Sequence, residues 1–528
     1  MPLRPFVLSF GLITYGLVLL HAETKGEDLY LKYCATCHGQ EGLGINKTFP
    51  PLAQSDFLSQ EREKSLRAPL EGLRGRIQVN GTFYDSWMPP VTLNDEDVAK
   101  VFNYIFSSWG NNLKPTSAKE IAELRSKTAY PTFEALVAET PKDFLPNAPP
   151  GWRWTVAAEL DFQPTRITAH PDRDHILILA ANGDIWKWNI ETKEIKQLFF
   201  GRDYIDLKLG VPTALGLNTD KEGRLYIVTN QCNKTKNPVM NEVTIFRTSV
   251  YKSTSAWTLP KSWFTTTYSY GIGPFNHGVN HIAQGPDGLM YVSSGSRTDG
   301  GEEGKSPRYD KTGEKPITAC IWQLDPQAEK PELKVFAQGL RSTYHFIWDK
   351  KGRMLGVDNG PDADAPEELN LIEKGNHYGF PYQFSNWKKN AYPYTPTKPS
   401  GLTITLPFAN VGPDAGGLAE GLFTFTPHSS PSGLLELDET WPEPLGGGFI
   451  MIRYGNLLKD ETGFDLIKLD INFERKELRA KQIAGSIGRP ISLLALPDHR
   501  IMVAEYCRGY NLSMGSDTNG RLIILEPR

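Results

Sequence analysis

The sequence predicts a small all-α domain followed by an all-β domain built as a six-bladed β-propeller. Apolar residues near the N terminus recur at helical spacing, for example over residues 98–109. After residue 150, a turn rich in Asp, Gly and Pro followed by a short apolar strand recurs six times. A chain of 528 residues exceeds what one hydrophobic core serves, and its 48 glycines and 39 prolines suit many short strands.

The composition and patterns divide the chain into four segments. We assign residues 1–22 to a signal peptide, 23–115 to the helical domain, 116–150 to a linker and 151–528 to the propeller. The linker contains one short stretch, residues 117–126, that can form a helix.

The first segment has the features of an export signal. Arg4 precedes an apolar run over residues 6–20, and a polar stretch begins after Ala22. The run is shorter than the ~20 residues of a membrane span, so we expect cleavage after Ala22. An uncleaved anchor is the alternative, because Leu20 is not small. Either way, we expect the bulk of the chain in the periplasm or secreted, and after cleavage not integral to the membrane.

Charge and cysteine content narrow the function classes. The net charge of −4 shows no excess of positive charge of the kind that binds nucleic acid. Five cysteines are too few for a disulfide scaffold. Cys232, Cys320 and Cys507 stand alone, and they fit either one disulfide with one thiol or three buried thiols.

Two cysteines belong to a Cys-x-x-Cys-His motif formed by Cys34, Cys37 and His38. This spacing lets two thiols reach the two vinyl groups of one porphyrin edge, with the histidine beneath the iron. A zinc site would need a second pair of ligands, and the other cysteines are scattered singly. The motif therefore predicts covalent haem c.

The segment after the motif supports this interpretation. Asn94 and the acidic residues behind it predict the start of a helix. Met88 precedes that helix by a short loop, which is where the second iron ligand is expected. Residues 26–112 resemble the cytochrome c domains that serve periplasmic alcohol and sugar dehydrogenases.

The six propeller units are recognised by turns that precede apolar strands. An eight-bladed propeller would need two more such units. The strands are expected at residues 176–179, 225–228, 290–292, 354–357, 449–452 and 501–503.

Candidate site residues of the propeller lie on loops next to these strands. His277 precedes an inner strand, and inner strands line the central channel of a propeller. Arg341 comes one blade later, and residues 358–364 offer oxygen ligands to a hard cation such as calcium. A structural histidine and a solvated arginine are the alternatives for the first two residues.

Residues 339–381 resemble the soluble glucose and sorbosone dehydrogenase family, through a Gly-x-Arg turn, Asn-Gly-Pro, Glu-Glu-x-Asn and His-Tyr-Gly-Phe-Pro. The resemblance implies the cofactor pyrroloquinoline quinone (PQQ) and a sugar or alcohol substrate. It implies that His277 is the general base and that Arg341 stabilises the oxyanion on the quinone. It also implies a calcium ion held partly by the carbonyls of Gly360 and Pro361.

The same resemblance implies that Arg489 and Arg453 pair with the carboxylates of the cofactor. The sequence departs from the family pattern at Asn276, where the glucose enzymes have an acidic residue, and at Ser342, where they have asparagine. Tyr344-His345 replaces smaller residues. These differences argue against glucose as the substrate.

The leading hypothesis is a quinohaemoprotein dehydrogenase that passes electrons to its own haem. A downstream cytochrome or terminal oxidase would then accept them. One alternative is a propeller with another redox cofactor, such as haem d1, which would require eight blades. The other is an electron-transfer cytochrome whose propeller only binds partners.

Overall fold

The structure is a computed structural model. It describes residues 25–44, 49–73, 76–84, 88, 90–132, 135, 145–271, 276–301, 313–363, 365–386, 392, 395–412, 424–456, 462–507 and 519–528. The predicted signal peptide lies outside the described residues. Within the described ranges, no helix has the length and apolarity needed to cross a membrane.

The N-terminal part is a helical domain with one small hairpin. The first helix packs against the fifth, and both contribute to a core that includes Tyr30, Leu70 and Phe106. Its helices are α1 Gly26–Tyr33, α2 Ala35–His38, α3 Asp56–Gln60, α4 Arg62–Glu71 and α5 Asp95–Ser107, and its strands are β1 Ile77–Val79 and β2 Thr82–Tyr84.

The sequence predicts the start of α5 better than its end. Asn94 caps the helix as predicted, because its side-chain oxygen accepts the N–H of Asp97 at 2.9 Å. The apolar residues continue at helical spacing to Trp109, but the helix stops at Ser107. Trp109 takes a φ of 52°, and its ring packs 4.9 Å from that of Tyr30.

Part of the predicted linker packs on the helical domain. Its helix, α6 Ala118–Arg125, places Ile121 and Leu124 in the helical core. The buried Arg125 donates to Asp95 at 2.6 Å and to the carbonyl of Leu93 at 2.8 Å. This helix therefore joins α4 and α5 rather than spacing the domains.

The rest of the described chain forms six sheets, which confirms the six-bladed propeller. Their strands pair antiparallel except for one short parallel pairing at the edge of the fifth sheet. The first blade contains β4 Pro164–Ala169, β5 His175–Ala180, β6 Ile185–Asn189 and β7 Ile195–Phe199; the second β8 Pro212–Thr219, β9 Leu225–Asn233, β10 Met240–Arg247 and β11 Lys261–Ser269; the third β12 Val279–Gln284, β13 Met290–Ser294, β14 Cys320–Leu324 and β15 Lys334–Gln338. The fourth contains β16 Thr343–Trp348, β17 Met354–Asp358 and β18 Glu368–Ile372; the fifth β19 Ala409–Asn410, β20 Pro431–Glu436, β21 Phe449–Arg453, β22 Asp465–Asn472 and β23 Glu477–Ala484; the sixth β24 Pro490–Leu496, β25 Arg500–Glu505, β26 Arg521–Pro527 and β3 Trp152–Glu159.

Each predicted turn joins the inner strand of a blade to its second strand. The six predicted apolar strands are β5, β9, β13, β17, β21 and β25. The inner strands β4, β8, β12, β16, β20 and β24 contact one another in a closed ring.

The sixth blade is completed from the other end of the propeller. β3 pairs with β26, with Trp152 opposite Pro527 and Glu159 opposite Arg521. The sequence places residues 152–159 in the propeller but carries no sign of this pairing. The reason is that the partner strand lies more than 360 residues away.

On the channel side of the inner strands, two histidines lie close to a buried arginine. The rings of His281 in β12 and His345 in β16 lie 4.4 Å apart. Arg166 in β4 lies 4.6 Å from the ring of Tyr344 and donates to the carbonyl of that residue at 3.0 Å. Burial lowers the pKa of both histidines well below the ordinary range, and Arg166 adds to the shift. Both imidazoles are therefore neutral.

We predict that His345 makes the propeller less stable in acid. The unfolded chain takes up a proton near pH ~6.5, whereas the folded chain does not, so stability is lost as the pH falls below that value. His345→Asn can still accept the N–H of Leu434, which His345 accepts at 3.1 Å. Between pH 6 and 5 it should reduce the pH slope of the free energy of unfolding by up to about 1.4 kcal/mol per pH unit. Denaturant titration followed by tryptophan fluorescence measures this slope, with the less buried His499→Asn as control; equal slopes in wild type and H345N would contradict the prediction.

Candidate functional site

The Cys-x-x-Cys-His motif lies at the junction of α1 and α2. Cys34 connects the two helices, and Cys37 and His38 end the second. Nδ1 of His38 lies 2.9 Å from the carbonyl oxygen of Pro50. Because a carbonyl only accepts, Nδ1 carries the proton and Nε2 is left in the form that coordinates iron.

An apolar cavity in the helical domain brings the two predicted iron ligands together. His38 and Met88 both line it, together with Cys34. Two backbone hydrogen bonds to Leu73, of 2.7 and 2.9 Å, fix the position of Met88. Apolar walls and this ligand pair fit a haem. The walls include Leu52, Leu58, Val98, Phe102 and Ile105.

His277 lies on the loop before β12 in a second site. Its Nδ1 lies 3.1 Å from Oγ of Ser296, whose hydroxyl donates to the carbonyl of Thr298 at 2.7 Å. The Ser296 oxygen therefore accepts the proton on Nδ1, so Nε2 is the basic nitrogen. A side chain on Gly295 would begin 2.5 Å from Cβ of His277, so the close approach of these loops requires glycine. Ser296 belongs to no motif, so the sequence alone does not identify it.

Arg341 is buried and joins loops of two blades. It donates from Nε to the carbonyl of Asp299 at 3.0 Å, from Nη2 to the carboxylate of Asp299 at 2.5 Å, and from Nη1 to the carbonyl of Asn359 at 3.0 Å. Its backbone N–H donates to Asp358 at 2.9 Å. Burial, aided by the nearby Glu368, raises the pKa of Asp358 to about 8.

An oxygen-rich edge faces the same site. The carboxylate of Glu367 accepts the N–H of Gly360 at 2.6 Å and that of Ser430 at 3.1 Å, while burial raises its pKa to about 7. The side-chain oxygen of Asn359 is buried and has no hydrogen-bond partner among the described residues. Together with Asp362, these groups supply the hard oxygen ligands that calcium prefers.

These side chains meet in one pocket of about 310 Å³. Of the residues predicted for the propeller site, His277, Arg341 and Gly360 line it. Pro361 is buried next to Gly360 and is not among the lining residues. Several residues that also line the pocket carry no signal of a site in the sequence. They are Phe49, Asn280, His428, Ser430, Tyr454 and Asn456. Asn359 and Asp362, which also line it, lie within the predicted oxygen-ligand segment 358–364, and Tyr344 and Glu367 stand out only through comparison with the family pattern.

The other two predicted arginines do not line the pocket. Arg453 forms a buried bidentate ion pair with Asp465. Arg489 donates to the carbonyl of Asn456 at 3.1 Å and lies 5.1 Å from the ring of Tyr454. Asn456 and Tyr454 line the pocket, so Arg489 lies directly behind its wall. The pairing of either arginine with cofactor carboxylates stays a prediction.

The helical domain contacts the propeller at this pocket. The amide of Gln40 donates to the hydroxyl of Tyr270 at 3.3 Å, and Glu27 pairs with Lys234 at 3.3 Å. Phe49 of the helical domain lines the pocket together with His277. The haem motif therefore lies on the side of its domain that faces the propeller.

Comparison with known families assigns both parts of the chain. A model of the glucose/sorbosone dehydrogenase family matches residues 162–443. The chain belongs to this family. A cytochrome c model matches residues 23–109, so a cytochrome c domain precedes the glucose/sorbosone dehydrogenase propeller.

Individual relatives match one part or the other. Cytochrome c-552 of Thermus thermophilus is 38% identical over 141 residues, which are 25% of this chain and 92% of that protein. The cytochrome c subunit of the quinone alcohol dehydrogenase of Gluconobacter oxydans is 33% identical over 108 residues, 20% of this chain and 22% of that subunit. The PQQ-bound aldose sugar dehydrogenase of Streptomyces coelicolor has 17% identity and a TM-score of 0.48 over 72% of this chain and 100% of that chain. The apo soluble aldose sugar dehydrogenase of Escherichia coli has 13% identity and a TM-score of 0.49 over 71% of this chain and 100% of that chain.

We predict that Met88 sets the reduction potential of the cytochrome domain. Methionine ligation raises the potential of a haem, so Met88→Leu should lower it by on the order of 0.1 V while the apolar cavity is kept. Potentiometric titration of the visible spectrum measures the change, and Met240→Leu in the propeller is the control. A potential equal to that of the wild type in M88L would exclude Met88 as an iron ligand.

Proposed function

We propose that the protein is a quinohaemoprotein dehydrogenase, which oxidises a hydroxyl of a sugar or alcohol with PQQ and reduces its own haem c. The observation that carries the proposal is the single pocket lined by His277, Arg341 and the oxygen-rich edge, with Phe49 of the cytochrome domain among its walls. Membership of the glucose/sorbosone dehydrogenase family supports a sugar substrate.

His277 serves as the general base in this proposal. The hydrogen bond to Ser296 keeps the proton on Nδ1, so Nε2 accepts the proton of the substrate hydroxyl. Ser296 is a positioning residue, because its own hydroxyl is held by the carbonyl of Thr298.

The pocket fits a polar, oxygen-rich cofactor. The buried side-chain oxygen of Asn359 and the buried side-chain nitrogen of Asn280 have no partner within the described ranges, and both residues line the pocket. When bound, PQQ supplies an acceptor for the hydride of the substrate, and calcium beside it acts as a Lewis acid. Arg341 would face the quinone oxygen that gains charge, while Asn359, Gly360 and Glu367 would hold the cation.

Electron transfer to the attached haem is supported by the contacts between the domains. Phe49 lines the propeller pocket, and the carbonyl of the adjacent Pro50 lies 2.9 Å from Nδ1 of the haem ligand His38. The haem site therefore lies beside that pocket. A tethered acceptor has a high effective concentration, which favours transfer within one chain.

We also propose a location for the protein and an acceptor for the electrons of its haem. The predicted signal peptide implies a periplasmic or secreted protein, and His/Met ligation suits a haem that passes electrons to a downstream cytochrome or terminal oxidase. A role in electron transfer from a dehydrogenase is supported by two similar proteins. They are the cytochrome c subunits of the quinone alcohol dehydrogenase of Gluconobacter oxydans and of the gluconate 2-dehydrogenase of Pantoea cypripedii.

One observation favours the alternative of a non-catalytic propeller. Nε, Nη1 and Nη2 of Arg341 all donate to the protein, to Asp299 and Asn359. In a binding module these bonds would only brace the loops.

The visible spectrum of the haem-loaded protein tests the proposal. PQQ, calcium and a panel of aldoses and simple alcohols are added in turn. We expect a substrate to reduce the haem only when the quinone is present. If dithionite reduces the haem but no quinone binds and no compound reduces it, the propeller is not a dehydrogenase and the binding-module function replaces it.

Replacing Ser296 tests the role of the histidine. Ser296→Ala leaves the Nδ1 proton without its acceptor, at a cost of about 1–3 kcal/mol, so kcat/KM should fall about 5- to 160-fold and its pH profile should shift. The matched control is Ser294→Ala, which removes a buried hydroxyl that has no partner among the described residues. Equal activities and pH profiles in S296A and S294A would contradict the positioning role of Ser296. Ser296→Thr should restore most of the rate.

A further inference from the structure

One wall of the propeller pocket comes from the cytochrome domain. Phe49 is only 7% exposed, and it lines the pocket together with inner-strand residues Leu215, Tyr344 and Ile491. The neighbouring Pro50 accepts the Nδ1 proton of His38. Phe49, which lines the propeller pocket, is therefore the direct sequence neighbour of a residue that orients the haem ligand.

The segment that carries Phe49 is braced within its own domain. The N–H groups of Leu52 and Ala53 donate to the carbonyl of Gly42 at 2.7 and 2.8 Å. Gly44 has a φ of 63°, and a side chain there would begin 2.4 Å from the carbonyl oxygen of Phe49. This crowding holds the backbone at Phe49 in place.

The domain itself is held against the propeller on the same side. Gln40, ahead of this segment, bonds to Tyr270, and Glu27 in α1 pairs with Lys234. Neither contact involves a pocket residue, so both hold the cytochrome domain on the propeller from outside the pocket.

We propose that Phe49 is a specificity-determining residue, which limits the substrate to single sugar units and small hydroxy compounds. The proposal rests on the proposed dehydrogenase function and deepens it. A pocket of about 310 Å³ lies at the small end of ligand sites, which span ~300–1,000 Å³. It must hold both the quinone and the reacting end of the substrate, and a ring from the attached domain closes it.

The chemistry of the remaining walls fits a polyhydroxy substrate. Asn280 and Asn456 bring side-chain amides to the pocket, and the hydroxyl of Ser432, which donates to the carbonyl of Pro490 at 2.6 Å, can accept from a substrate hydroxyl. A second sugar unit extending from the reacting one would have to pass the ring of Phe49. Oligosaccharides are therefore excluded by shape and not by lack of polar contacts.

The test compares two sizes of substrate in the full haem-loaded protein with PQQ and calcium. The measured quantity is the ratio of kcat/KM for an aldose to kcat/KM for its disaccharide, for example xylose and xylobiose. We expect a ratio of at least 10 in the wild type and a ratio lowered about 10-fold in Phe49→Ala, since removing apolar packing changes discrimination by about 10–200-fold. Phe49→Trp should raise the ratio.

Phe83→Ala is the matched control, because Phe83 lies on the same domain, is 51% exposed and does not line the pocket. The haem spectrum and reduction potential are recorded for each variant, and Phe49→Trp keeps an aromatic ring next to Pro50. Equal ratios in wild type, F49A and F49W would overturn the inference while leaving the dehydrogenase function intact. If the wild type oxidises neither sugar nor any alcohol, the proposed function fails, and the inference fails with it.

Discussion

The pairing of β3 with β26 is the interaction on which the rest of the structure depends. It joins residues from the two ends of the propeller in one sheet and closes the ring of inner strands. A buried ion pair between Arg521 and Glu505 lies at one end of this seam, and Glu505 also accepts the N–H of Gly488 at 2.7 Å. Only in a closed ring do the loops carrying His277, Arg341 and Glu367 converge, and β3 also fixes where the connector from the cytochrome domain arrives.

The pocket concentrates polar groups that burial disfavours. Glu367, which lines the pocket, and Asp358, which accepts the backbone N–H of Arg341 behind it, both have a raised pKa because burial disfavours their charge. Asn359 keeps an oxygen without a partner in the part of the chain that the structure describes. Such an arrangement opposes stability in the unliganded protein. A bound cation and a polar cofactor would offset this loss of stability. Buried polar groups that destabilise the unliganded protein are expected at a functional site.

Local patterns predicted most of the fold, and contacts between distant segments account for what they missed. The haem motif, the cap at Asn94 and the six turn-strand units each depend on neighbouring residues, so they can be read from the sequence. The partner of β3 cannot, because it lies at the other end of the propeller. For the same reason Ser296 and Phe49 carry no signal: their roles come from loops of other segments. The family resemblance pointed to His277, Arg341 and Gly360, which meet in the pocket, but also to Arg453, whose guanidinium pairs with Asp465 away from the pocket.

The central claim is that the propeller delivers electrons to the haem of the same chain. Rapid mixing of the quinone-loaded protein with substrate, followed at the haem absorbance over a 100-fold range of protein concentration, tests it most directly. Quinone, calcium and substrate are kept saturating at every dilution. The account predicts a first-order rate of haem reduction that does not change with protein concentration. A rate that falls in proportion to dilution would show transfer between molecules and contradict the account.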